Sequence, residues 1–325
     1  MREITYSEAI NEALSQALAK DKEVFLLGED IGSYGGAFKV TNGLLAKFGP
    51  ERVIDTPISE AAIAGAAIGA SLVGMKPVAE IMYMDFLPIS MDQLVTHAAK
   101  LHYMSGQQLD AGFVLRTQYS LGRAHGAQHS EFLPAWFLQA PGLKVVTPST
   151  PYDAKGLLNA SLRERGPVLF VECAMLYKTK GDVPEETYEV PLGKAEVKRE
   201  GKDLTIVAVS RMVPQALEAA EKLAAKGISA EVVDPRTLQP LDRATIVESV
   251  KKTGRLLVAS DDVKTGGVGA EIGATVFEEA FDSLKAPLAR VSSPDLPIPF
   301  SSPMEKEYMP NSDKVESAAE KLLLW

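Results

Sequence analysis

The chain has one cysteine, Cys173, so it can build neither an internal disulfide framework nor a thiolate metal cluster. Histidine is almost as scarce, with four in 325 residues. Two of them, His125 and His129, share one loop, but a zinc site wants three or four ligands at defined spacing. There is no long basic run and the net charge is −9, which sets aside nucleic acid and anionic membrane surfaces as partners. The uncharged run after Glu60 spans fifteen residues, 61–75. A bilayer-spanning helix needs roughly 20, so this reads as a buried helix. No Gly-x-Ser-x-Gly elbow is present, which leaves a hydrolase of that class unsupported. The opening, Met1-Arg-Glu-Ile-Thr-Tyr, resembles neither a signal nor a transit peptide, so a cytoplasmic protein is expected.

What is present is an alternation. Apolar residues make up 46% of the chain, enough for sizeable cores, and the length suggests two domains. Thr5-Tyr-Ser-Glu8 has the form of a capping box before a helix of period 3.6. Short apolar strands are predicted at 24–27, 77–83, 113–116, 144–147 and 168–171, with helices at 59–75, 90–104 and 151–164 between them. This is the pattern of an α/β fold with a parallel sheet covered on both faces. Residues 179–203, rich in charge and carrying Pro184 and Pro191, read as a linker. The alternation then resumes on a smaller scale. The expected organisation is a domain at 1–178, a linker at 179–203 and a second parallel-sheet α/β domain at 204–325.

In such sheets the ligand site lies beyond the carboxyl ends of the strands. Glu60, Asp85-Phe86 and the loop bearing His125 and His129 all follow strands. Glu60 has a plain alternative role, complementing the dipole of its helix for roughly 0.3–1 kcal/mol, with Ser59 as the cap. Gly32-Ser-Tyr-Gly-Gly36 is a turn-forming loop without the lysine and helix of a phosphate loop. In Gly267-Val-Gly-Ala-Glu-Ile-Gly273 the last interval is one residue too long for a dinucleotide fingerprint, and a closely packed helix start accounts for it better.

Several stretches together resemble one family. They are Asp55-Thr-Pro-Ile-Ser-Glu60, Glu80-Ile-Met-Tyr-Met-Asp-Phe86, Gln128-His-Ser130 and the segment from Pro141-Gly-Leu-Lys-Val-Val through Gly156. Val233-Asp-Pro-Arg-Thr-Leu238 and Lys264-Thr-Gly-Gly267 extend the likeness to the second domain. The chain resembles the beta subunit of the thiamine-diphosphate-dependent decarboxylase component of 2-oxoacid dehydrogenase complexes, most of all its acetoin dehydrogenase branch. The resemblance implies a transketolase-like pyrimidine-binding domain followed by a transketolase C-terminal-type domain. It implies that Glu60 contacts the pyrimidine ring nitrogen and shares a proton there, that Phe86 stacks on the ring with Ile58 beside it, and that His129 faces the substrate.

The same resemblance implies partners. The family's Gly-Asp-Gly followed some residues later by Asn, which holds the diphosphate through a magnesium ion, is missing here. The cofactor would therefore be shared with an alpha subunit in an α2β2 assembly, with no metal held by this chain. A lipoyl-bearing acyltransferase would receive the acyl group, with the acidic helix of Glu278, Glu279 and Asp282 as a candidate contact. The substrate is expected to be acetoin or a 2-oxoacid, and a non-catalytic scaffold subunit is the alternative. The sequence departs from the family at Gln118-Tyr-Ser-Leu-Gly122, Glu131-Phe-Leu-Pro134 and Ser260. Glu164-Arg165-Gly166 departs where some members bind potassium.

Overall fold

A computed structural model describes residues 1–325, which divide into two compact units. The first comprises Met1–Ser120 and Trp136–Leu192, the second Leu121–Ala135 and Gly193–Trp325. In chain order the elements through residue 183 are β1 (Arg2–Thr5), α1 (Tyr6–Lys20), β2 (Val24–Gly28), α2 (Leu44–Phe48), β3 (Val53–Asp55), α3 (Glu60–Leu72) and β4 (Lys76–Ile81). They continue as α4 (Ala99–Met104), β5 (Val114–Tyr119), α5 (Ala135–Leu138), β6 (Lys144–Val146), α6 (Pro151–Ser161), β7 (Val168–Cys173) and β8 (Lys180–Val183).

Within the first unit the sheet runs β6-β7-β5-β4-β2-β3, every neighbouring pair parallel. β5 and β7 are buried along their whole length, as strands covered on both faces must be. Helix α1 opens on the capping box expected from the sequence: Thr5 Oγ1 accepts from the Glu8 N–H, and Glu8 Oε2 accepts from the Thr5 N–H at 2.7 Å. Such a cap is worth about 1 kcal/mol. α1 packs on α6, whose Thr150 cap and Pro151 start set the helix direction.

The helix expected at 90–104 is present, led into by a 3₁₀ stretch Met84–Ser90 and built of a π-helical stretch Asp92–Ala98 that runs into α4. Pro88 supplies the reason for the first. It lies inside that stretch and has no N–H to donate to a carbonyl four residues back, as a regular α-helix there would require. The stretch 179–203, read from composition as a linker, carries two short strands. β8 pairs antiparallel with β1, and β9 (Glu196–Arg199) pairs antiparallel with β11 (Ala230–Asp234).

After β9 the second unit continues with β10 (Leu204–Ala208), α7 (Met212–Ala224), β11 (Ala230–Asp234), β12 (Thr237–Gln239), α8 (Arg243–Thr253) and β13 (Leu256–Val263). It closes with α9 (Val268–Ala280), β14 (Ala289–Ser293), α10 (Ser302–Tyr308) and α11 (Ser312–Leu322). Its sheet order is β14-β13-β10-β11-β9, parallel except at β9. Ile206, Val232 and Leu257 face a core closed by α7 and α11, while Val207, Val233 and Val258 face one closed by α8 and α9. The period-2 alternation of these strands feeds both faces.

β13 ends in Asp261 and Asp262. Asp261 is held bidentate by Arg211, whose guanidinium also donates to the Pro310 carbonyl at 3.0 Å. Asp262 accepts from the Val268 N–H at 2.6 Å, which caps α9, yet its Oδ1 is buried without a partner. Burial pushes its carboxyl up to about 6. A buried acid with a raised pKa costs stability once ionised, so this cost is absent below the unfolded value and complete above about pH 6. Asp262→Asn is therefore expected to be more stable than the wild type at pH 8, by roughly 1–3 kcal/mol. The difference should shrink as pH falls through 6 toward 4. Urea unfolding of both chains across that range checks it, and a constant difference would refute the assignment.

Candidate functional site

Strand register places four chemical groups level at the carboxyl edge of the first unit's sheet. Gly28 on β2 lies opposite Asp55 on β3 and Glu80 on β4, and Glu80 lies opposite Arg116 on β5. Position 28 has to be glycine, because a Cβ there would stand 2.7 Å from the Glu80 carbonyl oxygen. Beyond Gly28 the chain turns through the glycine-rich loop. Asp55 pins that loop, accepting from the Gly32 N–H at 2.6 Å and the Ser33 N–H at 3.3 Å.

Asp55 also begins the stretch that leads into α3. Ser59 occupies the N-cap position, but its hydroxyl makes no capping hydrogen bond. Its backbone N–H donates instead to the carboxylate of Glu29, which follows β2. Glu29 thus satisfies the N-cap residue's own N–H, not the first-turn amides that a Ser59 cap would reach. Glu60, the first residue of α3, is 6% exposed and Glu29 is 7% exposed. Burial raises the Glu29 pKa, and the nearby Glu60, Asp30 and Glu80 carboxylates raise it further. One Glu29 oxygen, Oε1, is buried without a hydrogen-bond partner. The positive end of the α3 dipole offsets part of the cost of bringing these acids together.

Helix α3 was expected to be buried all round. Only one face is: Ile63, Ala64, Ala67 and Ile68 are covered, while Ala62, Ala66, Gly69 and Leu72 are exposed. The covered face packs against β4 and against the 3₁₀ segment that carries Phe86. Glu60 and Phe86 are therefore set on contacting elements. Phe86 is half-buried, and Ile58 is 82% exposed.

Behind these groups lies a buried ion cluster. Arg116 Nε and Nη2 donate to the two oxygens of Glu172 at 2.7 and 3.0 Å, and Nη1 donates to Glu80 Oε2 at 2.6 Å. The Tyr177 hydroxyl donates to Glu172 Oε2 at 2.8 Å. Burial alone would lower the Arg116 pKa, but the Glu172 and Glu80 carboxylates outweigh it and push it above its ordinary value. Burial pushes Glu172 up, against the pull of Arg116. From Tyr177 a chain of aromatic contacts runs through Phe38 and Tyr83 to Phe86, with ring centroids 5.6–5.7 Å apart. The ion cluster and the Phe86 ring thus belong to one packed network.

His129 and His125 lie elsewhere in the architecture. Their loop, Leu121–Ala135, groups with the second unit. Both rings are half-buried. Burial lowers the His125 pKa, as do Arg123 and His129, with Glu305 opposing them. The departure at 118–122 is absorbed by packing: Tyr119 and Leu121 are buried, and Gln118 Nε2 donates to the Met82 carbonyl at 2.8 Å. A cavity of about 920 Å³ elsewhere in the first unit, bordered by His102, Tyr103 and Arg163, contains none of Ile58, Glu60 and Phe86.

Three residues were missed by reasoning from sequence. Glu29 carried a usable signal, as a carboxylate directly after a strand. Arg116 did too, since a charge inside a fully buried strand demands a partner. Glu305 carried none, because its contacts are 183 and 181 positions away in sequence.

Residues 2–180 match the transketolase pyrimidine-binding domain, and residues 193–315 match the transketolase C-terminal domain. The chain is 46% identical to the 2-oxoisovalerate dehydrogenase subunit beta of Bacillus subtilis, covering 99% of both chains. It is 45% identical to the acetoin:2,6-dichlorophenolindophenol oxidoreductase subunit beta of Cupriavidus necator, covering 99% of this chain and 98% of that one. It is 43% identical to the mitochondrial pyruvate dehydrogenase E1 component subunit beta of Dictyostelium discoideum, covering 99% and 91%. These identities are level and do not separate the three activities. Among solved structures, a split-gene transketolase described as an inactive beta4 tetramer superposes with a TM-score of 0.80 at 26% identity, covering 99% and 98%.

The ion cluster makes a direct prediction. Arg116→Met leaves Glu172 buried without its cation, a loss of about 3–5 kcal/mol in unfolding free energy. Guanidinium unfolding of the full chain measures it. A loss below 1 kcal/mol would mean that the cluster is not what holds β5 against β4 and β7.

Proposed function

We propose a function on the premise that this chain belongs to the transketolase-like family of 2-oxoacid and acetoin dehydrogenase beta subunits, a thiamine-diphosphate-dependent family. The chain is the beta half of an oxidoreductase that cleaves a carbon–carbon bond next to a carbonyl, and it works with an alpha subunit. Its substrate is acetoin or a 2-oxoacid. The relatives are beta subunits of such enzymes, and the scaffold alternative draws no support from them.

The first unit's residues fit the pyrimidine end of the cofactor. They offer a buried carboxylate at a helix start, a half-exposed ring on a contacting element, an exposed Ile58 and an orphaned buried oxygen on Glu29. When bound, thiamine diphosphate supplies the nucleophilic carbon and the electron sink that the cleavage requires. Glu60 holds the pyrimidine ring nitrogen and shares a proton with it. Its low-dielectric surroundings strengthen that hydrogen bond, and Glu29 beside it raises the cost of a second negative charge. Phe86 supplies a face for the ring, and Ile58 flanks it. His129 serves the substrate, where an imidazole can donate or accept a proton near neutral pH.

The alpha subunit completes the site. It would carry the magnesium ion and diphosphate contacts whose Gly-Asp-Gly motif is missing from this chain. The exposed face of α3 is apolar and lies on the helix that begins with Glu60, as a subunit contact would require. In the second unit, Phe277 and Phe281 are exposed and pack edge to face 4.8 Å apart beside Glu278 and Glu279. That aromatic and acidic surface is the proposed contact for a basic segment of the lipoyl-bearing acyltransferase.

The buried Glu60 carboxylate at the sheet's carboxyl edge carries this reading. Glu60→Gln keeps the shape but cannot share the proton. In the assembled, cofactor-saturated enzyme it should lower turnover by roughly 10²–10⁴-fold and slow deuterium exchange at the thiazolium carbon. The melting temperature should stay the same. A dipole-only role predicts normal exchange with at most about 1 kcal/mol lost.

His129→Ala is expected to lower turnover by a similar factor, roughly 10²–10⁴-fold, with cofactor affinity intact. Calorimetric titration with thiamine diphosphate alongside steady-state assays separates the two quantities. Lost cofactor binding with normal turnover would remove His129 from the substrate side.

A further inference from the structure

The loop bearing His125 and His129 is gripped from one segment of the second unit. Glu305 on α10 is 2% exposed, and both of its carboxylate oxygens are used. Oε1 accepts from the Gly122 N–H at 2.9 Å and Oε2 from the Ala124 N–H at 2.7 Å. Gly122 and Ala124 both have left-handed backbone, with φ of 96° and 57°. For alanine that conformation costs of order 1 kcal/mol, so it persists only where surroundings enforce it. Two amides converging on one carboxylate form an anion nest, and here the anion belongs to the protein itself.

The second grip lies five residues before Glu305. Gly126 has φ of 75°, and a Cβ on it would stand 2.8 Å from the Phe300 ring. The carbonyl of Gly126 in turn accepts from the His129 N–H at 3.4 Å. Position 125 is thus fixed between two anchored neighbours, and position 129 is tied to the second of them. Glu305 also partly offsets the effects of burial, Arg123 and His129 on the His125 ring.

We propose that Glu305 is a positioning residue for the reaction: its buried carboxylate clamps the backbone of Gly122 and Ala124 and so sets where His125 and His129 stand. This rests on His129 serving the substrate as proposed above. Glu305 touches neither substrate nor cofactor in this assignment and acts only through the loop.

Glu305→Gln is nearly isosteric but loses the charge and one acceptor oxygen. Hydrogen–deuterium exchange of the full-length chain, read on peptides covering residues 118–130, should quicken about 10–100-fold, the value of a charge-assisted hydrogen bond. In the assembled enzyme kcat should fall at least tenfold, with KM and thiamine diphosphate affinity within twofold of wild type. In a His129→Ala background the same substitution should change kcat by less than twofold, because the residue through which it acts is gone. Unchanged loop exchange in Glu305→Gln would overturn the clamp. Losses that multiply in the double variant would overturn action through His129. If His129→Ala alone leaves turnover normal, the proposed role of His129 fails, and loop exchange alone then decides the clamp. Should Glu305→Gln not fold, Gly126→Ala strains the same loop from the Phe300 side with Glu305 intact. It should give the same kcat loss, and normal kcat with a folded loop would count against the proposal.

Discussion

Arg116 is the constraint on which the first unit depends. A guanidinium that is 3% exposed must be paired in full, and it has just two carboxylates to pair with, Glu172 on β7 and Glu80 on β4. Three adjacent strands are thereby tied at the level where their carboxyl ends open onto the site. The pairing is bidentate to Glu172, which fixes orientation as well as distance. Tyr177 satisfies a remaining lone pair and begins the aromatic path to Phe86. An apolar replacement of the whole cluster could match its stability. It could not hold Glu80 where Glu80 adds to the charge around Glu29.

That electrostatic crowding gives the site its character. Glu29, Glu60 and Glu80 are gathered at one sheet edge, and the start of α3 is the counterweight. Glu29 accepts from the N–H of Ser59 at the start of α3, so helix placement and acid placement are one arrangement. A change at Glu29 would therefore disturb Glu60 through both charge and backbone.

Much of this was legible in the sequence, and the failures have physical causes. The capping box at Thr5 and the order of strands and helices follow from local chemistry. Local chemistry also misled. Ser59 is a good cap by type, but its hydroxyl makes no capping hydrogen bond. The helix predicted at 90–104 is present, but its spacing did not show that Asp92–Ala98 is π-helical. Charge and proline at 179–203 hid β8 and β9, which form because each finds an edge strand to pair with. The apolar run after Glu60 looked buried all round because its exposed positions, Ala62, Ala66, Gly69 and Leu72, are as apolar as its covered ones. Glu305 and the histidine loop are joined only by the tertiary fold, which no window of sequence contains.

The membership of Leu121–Ala135 in the second unit bears on modularity. A chain with one crossing between its units can be cut there, and each piece can be recombined with foreign halves. This chain crosses three times, after Ser120, after Ala135 and after Leu192. A gene severed at the last crossing would encode a front half carrying the histidine loop without the helix that gives it shape. Chimeras made by swapping back halves between homologues would inherit a loop from one parent and its support from the other. A swap that keeps the loop with its support has to move residues 121–135 together with the back half, a unit discontinuous along the gene.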